Sequence, residues 1–172
     1  MHGFLWRDGT MIDLGDATEA DTQALDINDR GTVAGITTRS GTQQAALWRA
    51  GAWTILPTPT AGDQGAALAV NDRGQAVGSD DVLRAPMLWT ATSFTDLSAT
   101  GRCPVLPLYD INDAGWILGA GPDPAHATPF GGVWHGPAVC ARGAVIRLPA
   151  LSPDTADNWP VRMTSAEATA AD

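Results

Sequence analysis

The chain has 172 residues, of which 44% are hydrophobic and 17% charged, so it has enough apolar mass for one globular core. Its net charge is -9 and its ten basic residues are scattered arginines, which argues against nucleic acid and anionic membranes as partners because both require clustered positive charge. The sequence has no run of about 18 apolar residues and no signal peptide at its start, so we predict a cytoplasmic protein without a membrane span.

The predicted elements are short strands throughout. The chain starts with a strand pair, GFLWRD and TMIDL, within residues 1–15. Units of four strands follow at about 24–57, 67–98 and 108–149, and the segment 159–172 aligns with a first strand, a turn and a second strand. Because no segment has a convincing helical period, the predicted fold class is all-β and the predicted organisation is one domain spanning 1–172.

Two repeated phrases set the period of these units. Asn28, Asn71 and Asn112 are 43 and 41 residues apart, in the phrases ALDINDRG, ALAVNDRG and LYDINDAG. Asparagine suits the first position of a turn and glycine suits the left-handed position that follows. A second phrase repeats tryptophan at one strand position, which predicts packing between units rather than sugar binding: Trp6, Trp48, Trp89 and Trp134.

A period near 42 with four antiparallel strands is typical of a β-propeller blade, and a solenoid of β-arcs is the competing architecture. The half blades 1–15 and 159–172 are predicted to pair, which gives four blades and leaves no open edge strand. In this alignment Met163 replaces Ile27, and Thr164-Ser165 replaces Asn-Asp. Glu167 stands where the turn glycine should be, so part of a larger ring, or two chains that join half rings, is the alternative.

The phrases HGFLWRDGTMIDLG and INDRGTVAG resemble the HAF-repeat family, named for its His-Ala-Phe motif. The best matches are residues 2–6, His-Gly-Phe-Leu-Trp, and residues 27–31, Ile-Asn-Asp-Arg-Gly. The resemblance covers about three quarters of the chain and implies a propeller. It implies no particular activity, and the export common in that family is not expected here because the chain lacks a leader.

Motifs for common chemistries are missing from the sequence. There is no Gly-x-Ser-x-Gly elbow, no phosphate-binding glycine loop and no dinucleotide fingerprint, and Cys103 and Cys140 lack metal-ligand spacing. The Asp-x-Asn-Asp groups at 26–29 and 110–113 are expected to serve as turns rather than calcium ligands, since calcium needs six to eight oxygens on a flexible loop. We therefore predict no metal and no cofactor.

Candidate site residues are those that depart from the repeat, because a scaffold position is shared by every unit and a site need occur only once. Tyr109 replaces Leu25 and Leu68, and Trp116 replaces Thr32 and Gln75. First strands are expected to line the ring axis, and long Gly/Pro loops of the third unit to border its mouth. The predicted ligand-binding residues are Tyr109, Trp116, Phe130, Leu25, Leu68, Met163 and Trp159, and the candidate catalytic residues are Tyr109, Asp110, His126 and His135.

Two functions of different class follow from this pattern. The first is binding of a small hydrophobic molecule in an apolar pocket at one mouth of the ring, with cofactor-free cyclisation or isomerisation in bacterial secondary metabolism as its catalytic form. The second is a non-catalytic protein-interaction module, which predicts an exposed apolar face. In either case a monomer or homodimer is expected.

Overall fold

A computed structural model describes residues 1–15, 21–60, 62–99, 107–123, 134–141 and 144–147. The prediction of an all-β chain is confirmed, since these ranges contain fourteen strands and no helix. Within them, no helix is long and apolar enough to cross a membrane. The predicted closing half blade, 159–172, lies outside the described residues.

The strands form four antiparallel sheets that follow one another along the chain, each in sequential order. Sheet I contains β1 (Phe4–Arg7) and β2 (Thr10–Asp13). Sheet II contains β3 (Asp21–Ile27), β4 (Val33–Arg39), β5 (Thr42–Arg49) and β6 (Ala52–Ile55). Sheet III contains β7 (Gly65–Val70), β8 (Ala76–Asp80), β9 (Ala85–Trp89) and β10 (Phe94–Asp96). Sheet IV contains β11 (Leu108–Ile111), β12 (Ile117–Asp123), β13 (Trp134–Ala141) and β14 (Ala144–Arg147).

Sheet I matches only the last two strands of the four-stranded sheets. Trp6 on β1 pairs with Met11 on β2, as Trp48 pairs with Trp53 in sheet II. The amide just after the last strand makes an equivalent hydrogen bond in three sheets, at 2.9 Å each. Leu56 and Leu97 donate to the third strands of sheets II and III, and Leu14 donates to the carbonyl of Gly3, directly before β1. Sheet I therefore corresponds to the third and fourth strands of a repeat unit.

The hydrophobic core lies in layers between successive sheets. Sheets I and II enclose Leu14, Val33, Ala46, Trp48 and Trp53; sheets II and III enclose Ala34, Leu47, Leu56, Val70, Met87 and Trp89; sheets III and IV enclose Ala69, Val77, Leu97, Leu108, Ile111 and Ile117. The predicted packing role of the repeated tryptophans holds for Trp48 and Trp89, because each lies between its own sheet and the preceding one. Each sheet thus depends on its neighbour for burial of its apolar face.

The repeated asparagine closes the turn between the first and second strands. In sheet III, Asn71 Oδ1 accepts hydrogen bonds from the amides of Arg73 and Gln75 at 3.1 and 2.9 Å, and the Asn71 carbonyl accepts the amide of Gly74 at 3.0 Å. Gly74 has a φ of 74°, which favours glycine, and so do its equivalents Gly31 and Gly115. The Asn-Asp groups therefore serve as turns, in accord with the sequence analysis.

The same asparagines also join neighbouring sheets, which was not predicted. Asn28 Nδ2 donates to the Asn71 carbonyl at 2.8 Å, and Asn71 Nδ2 donates to the Asn112 carbonyl at 2.9 Å. Beside them, Asp72 Oδ1 accepts the Asp29 amide at 3.0 Å, and Asp113 Oδ1 accepts the Asp72 amide at 2.8 Å. These contacts form a hydrogen-bonded ladder across sheets II, III and IV, which we call the asparagine ladder (Asn28, Asn71 and Asn112).

A second glycine is required by close backbone packing within the sheets. A Cβ on Gly35 would lie 1.9 Å from the Gln23 carbonyl oxygen, and one on Gly78 would lie 1.9 Å from the Ala66 carbonyl oxygen. A side chain at either position would force the first and second strands apart. The first two strands of a unit therefore require asparagine at their turn, glycine three residues later and a second glycine four residues after that.

Candidate functional site

A β-bulge interrupts the first strand of each four-stranded sheet at the same repeat position. The register between first and second strands shifts between Ala24 and Asp26, between Ala67 and Ala69, and between Leu108 and Asp110. A bulge leaves one residue out of the ladder and redirects its side chain. The three bulged residues are Leu25, Leu68 and Tyr109, all of which the sequence analysis selected as candidate ligand-binding residues.

The bulged strands of neighbouring sheets lie next to each other. Strand β7 packs against β3 and β4, and β11 packs against β7 and β8. Asp26 Oδ2 on β3 accepts the Val70 amide on β7 at 2.9 Å, which ties the two first strands together just beyond their bulges. We call Leu25, Leu68 and Tyr109 the bulge row. Leu25 is exposed, whereas Leu68 and Tyr109 are half-buried.

The third bulge carries an aromatic cluster that the other two lack. Tyr109 and Trp116, both half-buried, pack against Leu118, which is buried near the start of β12. Trp116 directly follows the turn, where its amide donates to Asn112 Oδ1 at 3.0 Å and its carbonyl accepts the Asn112 amide at 3.1 Å. The structure thus brings together the two residues that depart from the repeat in the third unit.

Tyr109 supplies the cluster with a phenol that stays protonated. Burial raises the pKa of the Tyr109 phenol above its ordinary value, because the charged phenolate loses solvation. A neutral phenol both donates and accepts a hydrogen bond. The cluster therefore combines an apolar surface with one uncharged polar group.

Asp110, a candidate catalytic residue, has a structural role in the backbone. Its Oδ1 accepts the amide of Ile111 at 2.8 Å, and the residue is buried. Asp26 in sheet II accepts the amide of Val70 in sheet III, but Ala69, the equivalent residue of sheet III, cannot accept the amide of Ile111 because it has no side-chain acceptor. Asp110 therefore accepts the Ile111 amide in place of a side chain from the neighbouring sheet.

Of the remaining predicted site residues, one lies on a described strand and four lie outside the described residues. His135 lies on β13, where it pairs in register with Pro122. His126, Phe130, Trp159 and Met163 lie outside the described residues. Among the described residues, no group of three or more His, Cys, Asp or Glu side chains lies close enough to hold a metal ion.

A second feature of functional interest is the apolar face of sheet I, formed by Phe4, Trp6 and Met11. Trp6 is 61% exposed, whereas Trp48 is 8% and Trp89 0% exposed at equivalent positions. Phe4 and Met11 are similarly exposed, and no preceding sheet among the described residues covers them. A compact cluster of large exposed apolar side chains is typical of an interaction surface.

The bulge row was found only in part from the sequence. The residues were selected because first strands were expected to line a ring axis, but the bulges themselves have no signal in the alternation of apolar and polar residues. Comparison of the chain with protein-family models, with curated proteins and with solved structures found no match.

Proposed function

We propose that the chain is a binding protein for a small apolar molecule, built on a four-bladed β-propeller. Sheets II, III and IV form complete blades in this proposal, and sheet I is the outer half of the fourth. The ligand site is the mouth bordered by the bulge row, with Tyr109 and Trp116 as its main contacts. The aromatic cluster at the third bulge supports this most directly, because larger side chains replace the residues found at the equivalent positions of the other two units.

The chemistry of the site limits the ligand. Leucine side chains at two bulges and aromatic rings at the third offer apolar area with a single neutral phenol, so an uncharged and slender hydrophobic molecule fits best. A reaction suited to such a site is cyclisation or isomerisation of a substrate held in a folded conformation, with the Tyr109 hydroxyl as hydrogen-bond partner. Asp110 is less suited to proton transfer, because its Oδ1 accepts a backbone amide.

The repeat supplies matched variants for a binding test. Tyr109→Leu introduces the residue of the other two bulges, and Trp116→Gln introduces the residue found at Gln75, so both substitutions use side chains that this scaffold already accommodates. Phe94→Thr removes an exposed aromatic ring from the outer strand β10 and serves as control.

The measurement is native mass spectrometry after incubation with mixtures of hydrophobic metabolites, followed by chromatography of each retained compound to detect a cyclised or isomerised product. We expect a retained compound whose affinity falls about tenfold or more in Tyr109→Leu and Trp116→Gln. The Phe94→Thr control should bind as the unmodified chain does. Retention of no compound, or equal retention by all variants, would contradict the proposal.

Protein interaction is the second candidate function, and the apolar face of sheet I favours it. The three side chains lie on one small sheet and include the two aromatic residues Phe4 and Trp6, a residue class that is enriched in protein interfaces. A folded partner on this face would shield Trp6 from a soluble quencher such as iodide, whereas a ligand at the bulge row would leave Trp6 accessible.

A further inference from the structure

Asp80, the last residue of β8, is a fully buried carboxylate with one unpartnered oxygen. It is 0% exposed, and its Oδ1 accepts the amides of Val82 and Leu83 at 3.0 and 2.8 Å. Its Oδ2 is buried as well, but it has no hydrogen-bond partner among the described residues. A buried acceptor without a donor is costly, so native proteins supply the donor either from the chain or from an internal water molecule.

The Asp80 side chain lies in the layer between sheets II and III. Asp80 and Ala76 are on the same face of β8, because they are an even number of residues apart, and Ala76 packs in that layer. Trp89 brings a side-chain N–H donor into the same layer, but its Nε1 already donates to the Pro57 carbonyl at 2.8 Å. Asp80 Oδ2 therefore requires a donor other than this indole.

The preceding layer, between sheets I and II, shows how the same corner is bonded one unit earlier. Thr22 on β3 is 1% exposed, and its hydroxyl accepts the amide of Gly3 and donates to the carbonyl of Leu14, at 3.1 Å each. These two backbone groups belong to residues that flank sheet I, where the Leu14 amide donates to the Gly3 carbonyl. A buried hydroxyl oxygen from one sheet thus bridges two backbone groups of the sheet before it.

Sheet III supplies no hydroxyl at the equivalent position. The register pair Gly65–Asp80 of sheet III corresponds to the register pair Thr22–Thr37 of sheet II. A Cβ on Gly65 would lie 2.5 Å from the Ser79 carbonyl oxygen, so close backbone packing requires glycine there. In sheet III the bridging hydroxyl is therefore replaced by a glycine, and the residue paired with it is the carboxylate Asp80.

The two bridged backbone groups have counterparts in sheet II. The Leu56 amide donates to the Ala45 carbonyl at 2.9 Å, as the equivalent groups beside sheet I do. Among the described residues, the Ala45 amide makes no return bond to the Leu56 carbonyl. Both residues are buried in the layer that Asp80 faces. An amide donor and a carbonyl acceptor therefore stand opposite Asp80 in the arrangement that the threonine hydroxyl bridges one unit earlier.

From these observations we propose that one internal water molecule is bound between sheets II and III, at the place that corresponds to the bridging hydroxyl. The water accepts the Ala45 amide and donates its two hydrogens to the Leu56 carbonyl and to Asp80 Oδ2. About three hydrogen bonds to buried polar groups are typical of an internal water. The site is not repeated between sheets III and IV. There Pro86 and Gly121 stand at the positions of Ala45 and Asp80, so the amide hydrogen and the carboxylate are both missing.

Water–amide NOE spectra of the full chain labelled with ¹⁵N test this site, in a buffer free of sodium and ammonium. We expect a cross peak between water and the Ala45 amide proton, with the sign of a long-lived internal water rather than of hydrogen exchange. The matched control is Asp96→Asn, because Asp96 Oδ1 also accepts two amides of the turn that follows it, and there the cross peak should remain. Absence of the cross peak from the unmodified chain would overturn the proposal, whether or not any variant folds.

Two variants of Asp80 distinguish a water from a bound cation. Asp80→Asn places an N–H donor where Oδ2 stands, and a water can turn to accept from it, so the cross peak should remain; a sodium or ammonium ion cannot accept a hydrogen bond. Asp80→Leu removes the acceptor and fills the space with an apolar side chain, so the cross peak should be lost. Its loss in Asp80→Asn, its persistence in Asp80→Leu or a requirement for sodium or ammonium would overturn the proposal. These spectra need no added ligand, so this site and the proposed function can fail independently.

Discussion

Replacement of the ladder asparagines with alanine, one at a time, should have very different costs although the three residues share one sequence motif. Asn71 makes four hydrogen bonds through its side chain: Oδ1 accepts two turn amides, and Nδ2 donates to Gln75 Oε1 and to the Asn112 carbonyl. In contrast, Asn112 Oδ1 accepts the Trp116 amide, and its buried Nδ2 has no partner among the described residues.

The magnitudes follow from these contacts. A hydrogen bond contributes about 1 kcal/mol net, and a buried group that loses its partner costs about 1–3 kcal/mol. Asn71→Ala loses the turn bonds and strands the Asn112 carbonyl, so we expect it to lower the free energy of unfolding by about 3 kcal/mol. Asn112→Ala loses one turn bond but also removes a buried unpaired donor, so the two effects offset each other and we expect a change of about 1 kcal/mol or less.

Urea denaturation followed by tryptophan fluorescence measures this difference. Asn28→Ala is the intermediate case, because Asn28 makes the turn bonds and the bond to Asn71 but is only half-buried, and we expect about 2 kcal/mol. An equal loss of stability in Asn71→Ala and Asn112→Ala would refute the reasoning, since it would mean that the bonds between sheets contribute nothing beyond the turn.

Two further predictions concern the scaffold. Gly78→Ala should lower the free energy of unfolding by about 3 kcal/mol or prevent folding, because the new Cβ would lie 1.9 Å from the Ala66 carbonyl oxygen. Gly41→Ala is the control, because a Cβ there meets nothing within 4 Å. Its φ of 81° disfavours alanine, so we expect it to lower the free energy of unfolding by about 1 kcal/mol in the same urea assay. Hydrogen bonds from the Ser98 hydroxyl and from the amides of Ser98 and Ala99 hold the pKa of Asp96 below its ordinary value of 3.8, so its contribution to stability is present above that pH and is lost as pH falls through the lowered pKa. The difference in urea midpoint between the unmodified chain and Asp96→Asn should therefore shrink from about pH 5 to about pH 2, and a difference independent of pH would contradict this assignment.

Much of the scaffold could be predicted because the repeat shows which residue types recur at equivalent positions of the units. The period, the four-strand order and the turn role of asparagine follow from Asn28, Asn71 and Asn112, and the packing role of Trp48 and Trp89 follows from their shared strand position. The bulges were not predicted, since Leu25, Leu68 and Tyr109 continue an ordinary strand pattern. A bulge is defined by the register of two strands, and the sequence of one strand does not contain that register.

The candidate site was predicted through residues that break the repeat, and the structure places those that it describes in different surroundings. Tyr109 and Trp116 both pack against Leu118, because the turn at Asn112 reverses the chain between them. Asp110 was selected for its carboxylate, but the structure gives its Oδ1 a backbone amide as partner. The difference depends on Ala69 in the neighbouring sheet, 41 residues away from Asp110, so no local pattern could have revealed it.

The sequence by itself determined the all-β class and the internal repeat of this protein, because strand periodicity and turn chemistry act over a few residues. Only the tertiary structure decided which copies of a repeated residue are buried, paired or left open. Ile27 and Val70 occupy equivalent positions, as do Asn71 and Asn112. Yet among the described residues Val70 is buried while Ile27 is exposed, and Asn71 Nδ2 bonds to the next sheet while Asn112 Nδ2 has no partner. The physical reason is that burial and hydrogen bonding between sheets depend on both sheets that meet, whereas the sequence of one repeat unit specifies only one of them.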